Sequence, residues 1–338
     1  GSLVLFAESS NSDATSRTRQ RPDAIAFQAA HPELDVPNPV QRWGQPELES
    51  RRVGFNVKAH ANDTLELYAF GLYSHSDGVS DFNWRNPDTT TGAYRTTAIF
   101  PGWNLRSLYP VGFSPQYGNV QNDLQLVGGL RGEITPKLRW DVSASYGRNA
   151  IDYSLKNSIN ASLGPASPTD FDLGRLTQTE KNANADFNYE WDVAALSQPI
   201  NVAFGGEFRQ ETYQVRAGDP ASYAVGPGAA AGLEANSNGA PGFSASQAGQ
   251  WSQRSKAAYV DMEVPLGERW SIGAAGRYED FSSFGSTVDG KLSARFAITP
   301  DVALRGTLST GFRAPTPAQL NTTSTTQGLD TRTLQIFT

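Results

Sequence analysis

The stretch from Glu268 to Arg313 decides the fold, and its central part, Thr287–Thr299, reads TVDGKLSARFAIT. Apolar or small residues fill every second position of this part, and mostly polar or charged residues fill the positions between them. Because successive side chains of a β-strand point to opposite faces, the pattern predicts one strand with an apolar face and a polar face. Pro300-Asp301 is predicted to turn the chain, and the alternation resumes from Val302 to Phe312.

These predicted strands are about a dozen residues long, and their length points to a membrane. Strands of globular proteins usually have about five or six residues, whereas a tilted strand that crosses a bilayer needs about nine to eleven. Only 38% of the 338 residues are hydrophobic. That value is compatible with a membrane barrel, which carries its hydrophobicity in alternation and not in long runs.

The same alternation recurs along the whole chain and predicts about eleven consecutive antiparallel strands. The predicted strands cover residues 3–8, 51–60, 64–74, 123–135, 138–146, 182–193, 200–211, 258–264, 270–279, 287–299 and 302–312. Ser9–Glu49 contains several prolines and is predicted to be a loop. No segment has a convincing helical period.

The predicted connections are sorted by the end of the strand at which they lie. Short turns are predicted at Asn62, Pro136, Ser197, Leu266 and Pro300. The opposite ends mostly carry loops of tens of residues, with a brief connection at 284–286 as the exception. Outer-membrane barrels have short periplasmic turns and longer extracellular loops, so the sorting favours this class.

Aromatic residues on the apolar face add a second sign of a membrane. Trp140, Trp191 and Trp270 lie beside short turns, whereas Tyr73, Tyr146 and Tyr278 lie toward the long loops. Two such groups are typical of the aromatic girdles at the two membrane interfaces. A soluble β-sandwich also alternates, but its strands are shorter and its loops are not sorted by end.

The predicted barrel is incomplete. The first and the last predicted strand run in the same direction, whereas single-chain bacterial barrels have even strand numbers and close on themselves. We therefore expect an all-β, antiparallel transmembrane β-barrel of which residues 1–338 form a fragment of one domain.

Several segments resemble TonB-dependent receptors. Leu308–Leu320 (LSTGFRAPTPAQL) is similar to the "GFRAP" segment that ends a barrel strand in that family. Gly276–Phe281 (GRYEDF), Ala257–Asp261 (AAYVD) and Tyr109–Phe113 (YPVGF), which precedes a strand ending at 130–132, resemble parts of the same barrel.

The resemblance implies a barrel of about 22 strands with a plugged lumen, of which about half is present. It also implies that the plug domain lies outside this chain, and that the TonB complex is a partner only through that plug. Outer-membrane lipid and lipopolysaccharide are the other expected partners. Arg17, Arg19 and Arg21 are candidates to face lipopolysaccharide phosphates, and a solvated loop is the alternative.

The residues give no sign of catalysis. The chain has no cysteine and its three histidines, His31, His60 and His75, are scattered. No P-loop or HExxH motif is present. We therefore expect no enzyme activity, no cofactor and no metal site. The net charge of −6 makes nucleic acid an unfavourable partner.

The best ligand-binding candidates lie in the predicted loop from His75 to Val120. They combine flat aromatic surfaces with cationic donors, which suits ring-bearing or anionic ligands. These candidates are Trp84, Arg85, Tyr94, Arg95, Trp103, Arg106 and Tyr109. The alternative is that the aromatic residues pack the long loop against itself.

Two classes of function remain open at this point. The resemblance implies a transporter that binds a scarce nutrient outside the cell and imports it past the plug. The cargo would be a ferric siderophore, a cobalamin-like cofactor or an oligosaccharide. A passive porin, or an adhesin or phage-binding surface protein, is the alternative.

Overall fold

A computed structural model describes residues 1–88, 94–327 and 334–337. Its main element is an eleven-stranded antiparallel sheet in which each strand pairs with its neighbours in sequence, from β1 to β11. The strands are β1 (Ser2–Ser12), β2 (Glu47–Asn62), β3 (Leu65–Asp81), β4 (Gln116–Thr135), β5 (Leu138–Lys156), β6 (Phe171–Trp191), β7 (Ile200–Ala217), β8 (Gly249–Leu266), β9 (Trp270–Phe281), β10 (Gly285–Ala297) and β11 (Ala303–Ser309). The number, order and direction of the predicted strands are confirmed. The sheet does not close, as expected for part of a barrel wall.

Several strands are longer than the alternation predicts. β6 has 21 residues and begins at Phe171, eleven positions before its predicted start. β3 continues to Asp81 and β4 already begins at Gln116. The loop predicted over 75–120 is therefore shorter and covers 82–115. Both faces of these extensions carry polar residues, and hydrogen bonding between strands continues where the apolar alternation has ended. At the other end of the sheet, β11 is shorter than predicted, because it stops at Ser309 and not at Phe312.

Helices are short and lie among the connections at the long-loop end and in the segment after β11. They are α1 (Pro22–Ala30), α2 (Pro220–Tyr223) and α3 (Pro317–Asn321). The prediction that Ser9–Glu49 is a loop is wrong at three places, because β1 continues to Ser12, α1 lies inside the segment and β2 begins at Glu47. Pro22 stands at the start of α1, Asp23 lies in its first turn, and it buries Ala24 and Phe27. Its nine residues are too few to display a clear helical period.

A second, two-stranded sheet consists of β12 (Ser324–Gln327) and β13 (Leu334–Phe337). Within the described residues, no helix combines the length and the apolar character needed to cross a membrane.

The apolar face of the sheet is open and not packed against another layer. Leu292 is 62% exposed, Trp191 is 47% exposed and Leu308 is 79% exposed. Cross-strand ring pairs line this face, such as Phe187 with Phe204 at 5.2 Å and Trp270 with Phe296 at 4.5 Å between ring centroids. A soluble protein seldom exposes so continuous an apolar surface, and a barrel wall turns this surface toward lipid.

The opposite face is polar and carries charges that pair across strands. Arg277 donates to Glu207 at 2.9 Å and to Glu279 at 3.0 Å. Tyr68 donates to Asp141 at 2.7 Å, and Tyr259 donates to Asp186 at 2.6 Å. Glu207 of β7 and Arg277 of β9 therefore meet on one polar face of the sheet.

Candidate ligand-binding site

The long connections pack together at one end of the sheet and form what we call the cap, residues 13–46, 82–88, 94–115, 157–170 and 218–248. One apolar cluster joins the β3–β4, β5–β6 and β7–β8 connections through Leu105, Ile159 and Leu233. A second cluster joins α1 to the β3–β4 connection through Phe27 and Trp84. The ring centroids of Phe27 and Trp84 are 6.0 Å apart. The cap is therefore one packed body on top of the barrel wall and not a set of independent loops.

The β5–β6 connection, residues 157–170, is the centre of the cap. Ser158, Asn160 and Ser162 are completely buried. Asn160 donates to the carbonyl oxygens of Ala221 at 2.8 Å and Ala224 at 2.9 Å, and it accepts from Ser162 at 2.7 Å. Since buried polar groups without partners are costly, this network fixes the β7–β8 connection to the β5–β6 connection.

A charged contact fixes the β3–β4 connection to the same place. Arg85 Nε donates to Asn238 Oδ1 at 2.6 Å, and Asn238 Nδ2 donates to Glu234 Oε2 at 2.7 Å. Burial lowers the pKa of Arg85 and raises the pKa of Glu234. The two opposite charges are thus held in a desolvated part of the cap, bridged by one amide.

Among the predicted ligand-binding residues, three direct most of their ring surface into the cap. Trp84 is 2% exposed and Tyr94 is 7% exposed. The ring of Tyr109 stacks on Phe113 at 4.7 Å, and its hydroxyl donates to the Ser158 carbonyl at 3.2 Å. Burial raises the pKa of Tyr109 to about 12. These contacts give the three rings a packing role in the structure.

Three further predicted residues lie nearer to solvent than these rings and Arg85 do. Arg95 is exposed and Trp103 is partly exposed. Trp103 meets Phe100 edge to face at 5.7 Å. Arg106 bonds Asp88 and lies over the ring of Tyr94, with its guanidinium carbon 5.8 Å from the ring centroid. Binding of a ligand by these residues stays a prediction.

A cleft of about 480 Å³, with both polar and apolar lining residues, lies on the polar face of β4–β7, beside the segment that contains α3. Its lining includes Asp123, Asn149, Glu180 and Glu211. Asn149 donates to Asp123 at 2.6 Å. These four residues are not among the candidates predicted from the sequence. The feature of the sequence that could have identified them is that all four lie on the polar face, near the long-loop ends of neighbouring strands.

The histidines do not come together. His31 lies 3.3 Å from Asp88, His60 lies 3.7 Å from Glu66, and His75 bonds Asn122 at 2.9 Å. Across the described residues, no three histidine or carboxylate groups are close enough together to hold a metal ion.

Comparisons with solved structures support a barrel wall. The chain is similar to the ferric enterobactin receptor PfeA of Pseudomonas aeruginosa, in a doubly substituted form, with a TM-score of 0.55 and 12% identity over 94% of this chain and 40% of that chain. It is also similar to the siderophore receptor PirA of Acinetobacter baumannii, with a TM-score of 0.50 and 12% identity over 80% of this chain and 34% of that chain. This chain therefore spans less than half the length of these proteins. At such identity the likeness shows the fold alone.

No curated protein sequence matches the chain. The profile of the family described as "TonB dependent receptor-like, beta-barrel" matches residues 11–335, which is nearly the whole sequence. The resemblance noted at Leu308–Leu320 lies within this match. The chain therefore belongs to the TonB-dependent receptor β-barrel family.

Proposed function

We propose that the protein is a TonB-dependent transporter of the bacterial outer membrane. It binds a scarce nutrient outside the cell and imports it into the periplasm by binding and gated passage, with no bond chemistry. The observation that carries the proposal is the packed cap over a polar wall. The cap offers a shaped surface at the long-loop end, and the polar face below it offers a wet route inward.

The polar face also supports the expectation of a plug. Gln253 Oε1 is buried and lacks a hydrogen-bond partner among the described residues. Arg209 Nε and Glu279 Oε1 also form no hydrogen bond there, and have only ion-pair contacts, with Glu207 at 3.3 Å and with Arg209 at 3.7 Å. Buried polar groups normally have partners. A plug domain against β7–β9 would supply polar groups at these positions, and the TonB complex would act on the barrel only through such a plug.

A ferric siderophore is the cargo we propose first. The two solved structures described above are named as receptors for siderophores or for ferric enterobactin. Ferric siderophores are often anionic and bear aromatic groups, which exposed cations and flat rings can bind. Arg95 and Trp103 are the proposed direct contacts, because both reach solvent, and Arg106 supports them from its bond with Asp88.

Growth of a deletion strain tests this proposal. The strain would be grown under iron limitation with each of a panel of ferric siderophores as the iron source. Parallel cultures would test growth that depends on cobalamin or on an oligosaccharide. We expect loss of growth on one chelate and recovery with the intact gene. Normal growth and uptake on every arm would contradict the transporter.

Variants then test the proposed contacts. In the complemented strain, R95Q and W103A are expected to weaken uptake of the same chelate. The control is R305Q, which removes an exposed cation from the polar face of β11, far from the cap. Equal uptake by all three variants would show that Arg95 and Trp103 do not bind the chelate, and it would leave the proposal of transport intact.

A further inference from the structure

A row of hydrogen-bond acceptors runs along the polar face and through the cleft of about 480 Å³. Glu180 of β6 and Glu211 of β7 line the cleft and are directly opposite each other in register. Gln253 of β8 is directly opposite Glu211 and continues the row at the margin of the cleft. We call Glu180, Glu211 and Gln253 the acceptor row. On β5, Gly147 is opposite Glu180, and a Cβ at this glycine would meet no atom within 4 Å, so the row ends in open space there.

The two carboxylates of the acceptor row face each other without a cation between them. Residues directly opposite on neighbouring strands have Cβ atoms about 5 Å apart, and like charges in such a pair destabilise it. Glu180 accepts a hydrogen bond from Asn182 at 2.7 Å. Neither Glu180 nor Glu211 forms an ion pair within the described part of the chain. A cation bound between the two would remove their repulsion.

The cations near the acceptor row leave negative charge in excess. Arg209 lies two positions from Glu211 on the same face of β7, but it contacts Glu207 at 3.3 Å and Glu279 at 3.7 Å. Arg313 also acts electrostatically on Glu211, and its side chain is exposed. Asp123 is a third carboxylate of the cleft. The cleft therefore attracts a further positive group.

Gln253 adds an acceptor that carries no charge. The residue is 4% exposed, and its Oε1 accepts no hydrogen bond among the described residues. Because buried polar groups normally have partners, a donor is expected at this atom. An amide oxygen has two lone pairs, so a plug group and a ligand can both donate to it.

The segment that follows β11 forms another wall of the cleft, with residues 316–318. Its position is fixed by two contacts. The Thr323 carbonyl accepts from Gln247 at 2.8 Å, and the Thr322 side chain shares a hydrogen bond with Tyr213. The acceptor row is therefore part of a shaped cleft and not of a bare sheet surface.

We propose that the acceptor row binds the protonated amine of a small organic ligand. A primary ammonium has three donors and no acceptor, which matches two carboxylates and one amide oxygen. A metal ion fits less well, because no three histidine or carboxylate groups of the described residues are close enough together to hold one. In the transporter proposed above this ligand is the cargo, and only that last step rests on the proposed function.

Ligand-observed NMR with the full-length protein in detergent tests the site. The probe is cadaverine, a linear diamine, compared with the uncharged diol of the same chain length. We expect the diamine to bind and the diol not to bind. E180Q/E211Q should weaken binding of the diamine about tenfold, since an exposed ion pair contributes up to about fivefold.

The matched control is E133Q/E263Q. Both glutamates lie on the polar face near the short turns, one on β4 and one on β8, so the control makes the same two substitutions outside the cleft. We expect it to bind cadaverine as the unaltered protein does. Circular dichroism would establish that both double variants keep their strand content.

Three outcomes would overturn the proposal. They are equal binding of the diol, unchanged binding by E180Q/E211Q, and an equal loss in E133Q/E263Q. Absence of binding by the unaltered protein would also overturn it, because a cationic side chain of the plug would then be the better candidate for the row. None of these outcomes depends on uptake, so the site and the proposed transport can fail separately.

Discussion

At the scale of single residues, the cap depends on a few buried polar side chains. Asn160, Ser158 and Ser162 lie in one short connection, yet their partners come from connections some 60 to 80 positions later in the chain. Nothing in the local pattern of 157–170 identifies them, because asparagine and serine are ordinary loop residues. Their role becomes visible only when the strand register brings the connections together.

Asn160→Ala is expected to loosen the cap. It removes both donors to the Ala221 and Ala224 carbonyls and leaves buried acceptors without partners. We expect a local loss of about 2–4 kcal/mol. Hydrogen exchange of residues 220–237 measures it. Asn201→Ala, at an exposed asparagine of β7, is the control. Equal exchange in both variants would show that Asn160 does not hold the connection.

The contact between Arg106 and Asp88 is expected to respond to acid. The hydrogen bond from Arg106 holds the pKa of Asp88 below its ordinary value near 3.8. A lowered pKa in the folded state contributes stability above that ordinary value, and this contribution is lost as the pH falls through the lowered value. Protection of residues 94–109 should therefore be constant at neutral pH and decrease only below about pH 4.

Asp88→Asn separates this effect from general acid unfolding. The variant should show weaker protection of the same residues at pH 7 and a smaller change on acidification, with exchange corrected for its intrinsic pH dependence. Asp63→Asn, in the exposed β2–β3 turn, should behave as the unaltered protein. If D88N and D63N showed the same protection of residues 94–109 at every pH, the contact between Arg106 and Asp88 would not stabilise this segment.

At the scale of elements, the alternation of residues predicted the faces better than the lengths. From Thr287 to Ala297 every predicted face agrees with the observed register. At Asp152 and Arg175 the outward side chains are charged and paired, so the apolar signal stops while β5 and β6 continue. α1 was missed for a related reason, since nine residues cover only about two and a half turns.

Neighbouring positions of β5 test the assignment of faces. Val142 lies on the apolar face and Ser143 on the polar face, directly opposite Gly129 of β4. Val142→Arg is expected to destabilise the folded barrel in a bilayer by about 2–4 kcal/mol, because it places a charge against lipid. Ser143→Arg should cost much less. Equal losses, measured by reversible unfolding in lipid, would mean that the two faces meet similar surroundings.

At the scale of the whole molecule, the sequence was informative about architecture and less so about the site. Short turns such as Pro136-Lys137 and the two predicted aromatic girdles distinguished the short-turn end of the strands from the long-loop end. The observed sheet has its short and long connections at the predicted ends. The seven residues selected from 75–120 were chosen by chemistry alone. Burial of Trp84 and Tyr94 depends on α1 and on Ile159, which are distant in sequence, so composition could not separate packing rings from accessible ones.

The central claim is that this chain forms part of an outer-membrane wall with its long connections outside the cell. The chain has no cysteine, so a thiol introduced into it is unique within these residues. Ser107→Cys places a thiol in the exposed β3–β4 connection, and Asp301→Cys places one in the exposed turn between β10 and β11.

Labelling these two variants with a bulky, membrane-impermeant maleimide on intact cells is the most direct measurement. The account predicts that S107C is labelled on intact cells and that D301C is labelled only after the outer membrane is permeabilised. Labelling of D301C on intact cells, or protection of S107C until permeabilisation, would contradict the proposed orientation of the wall.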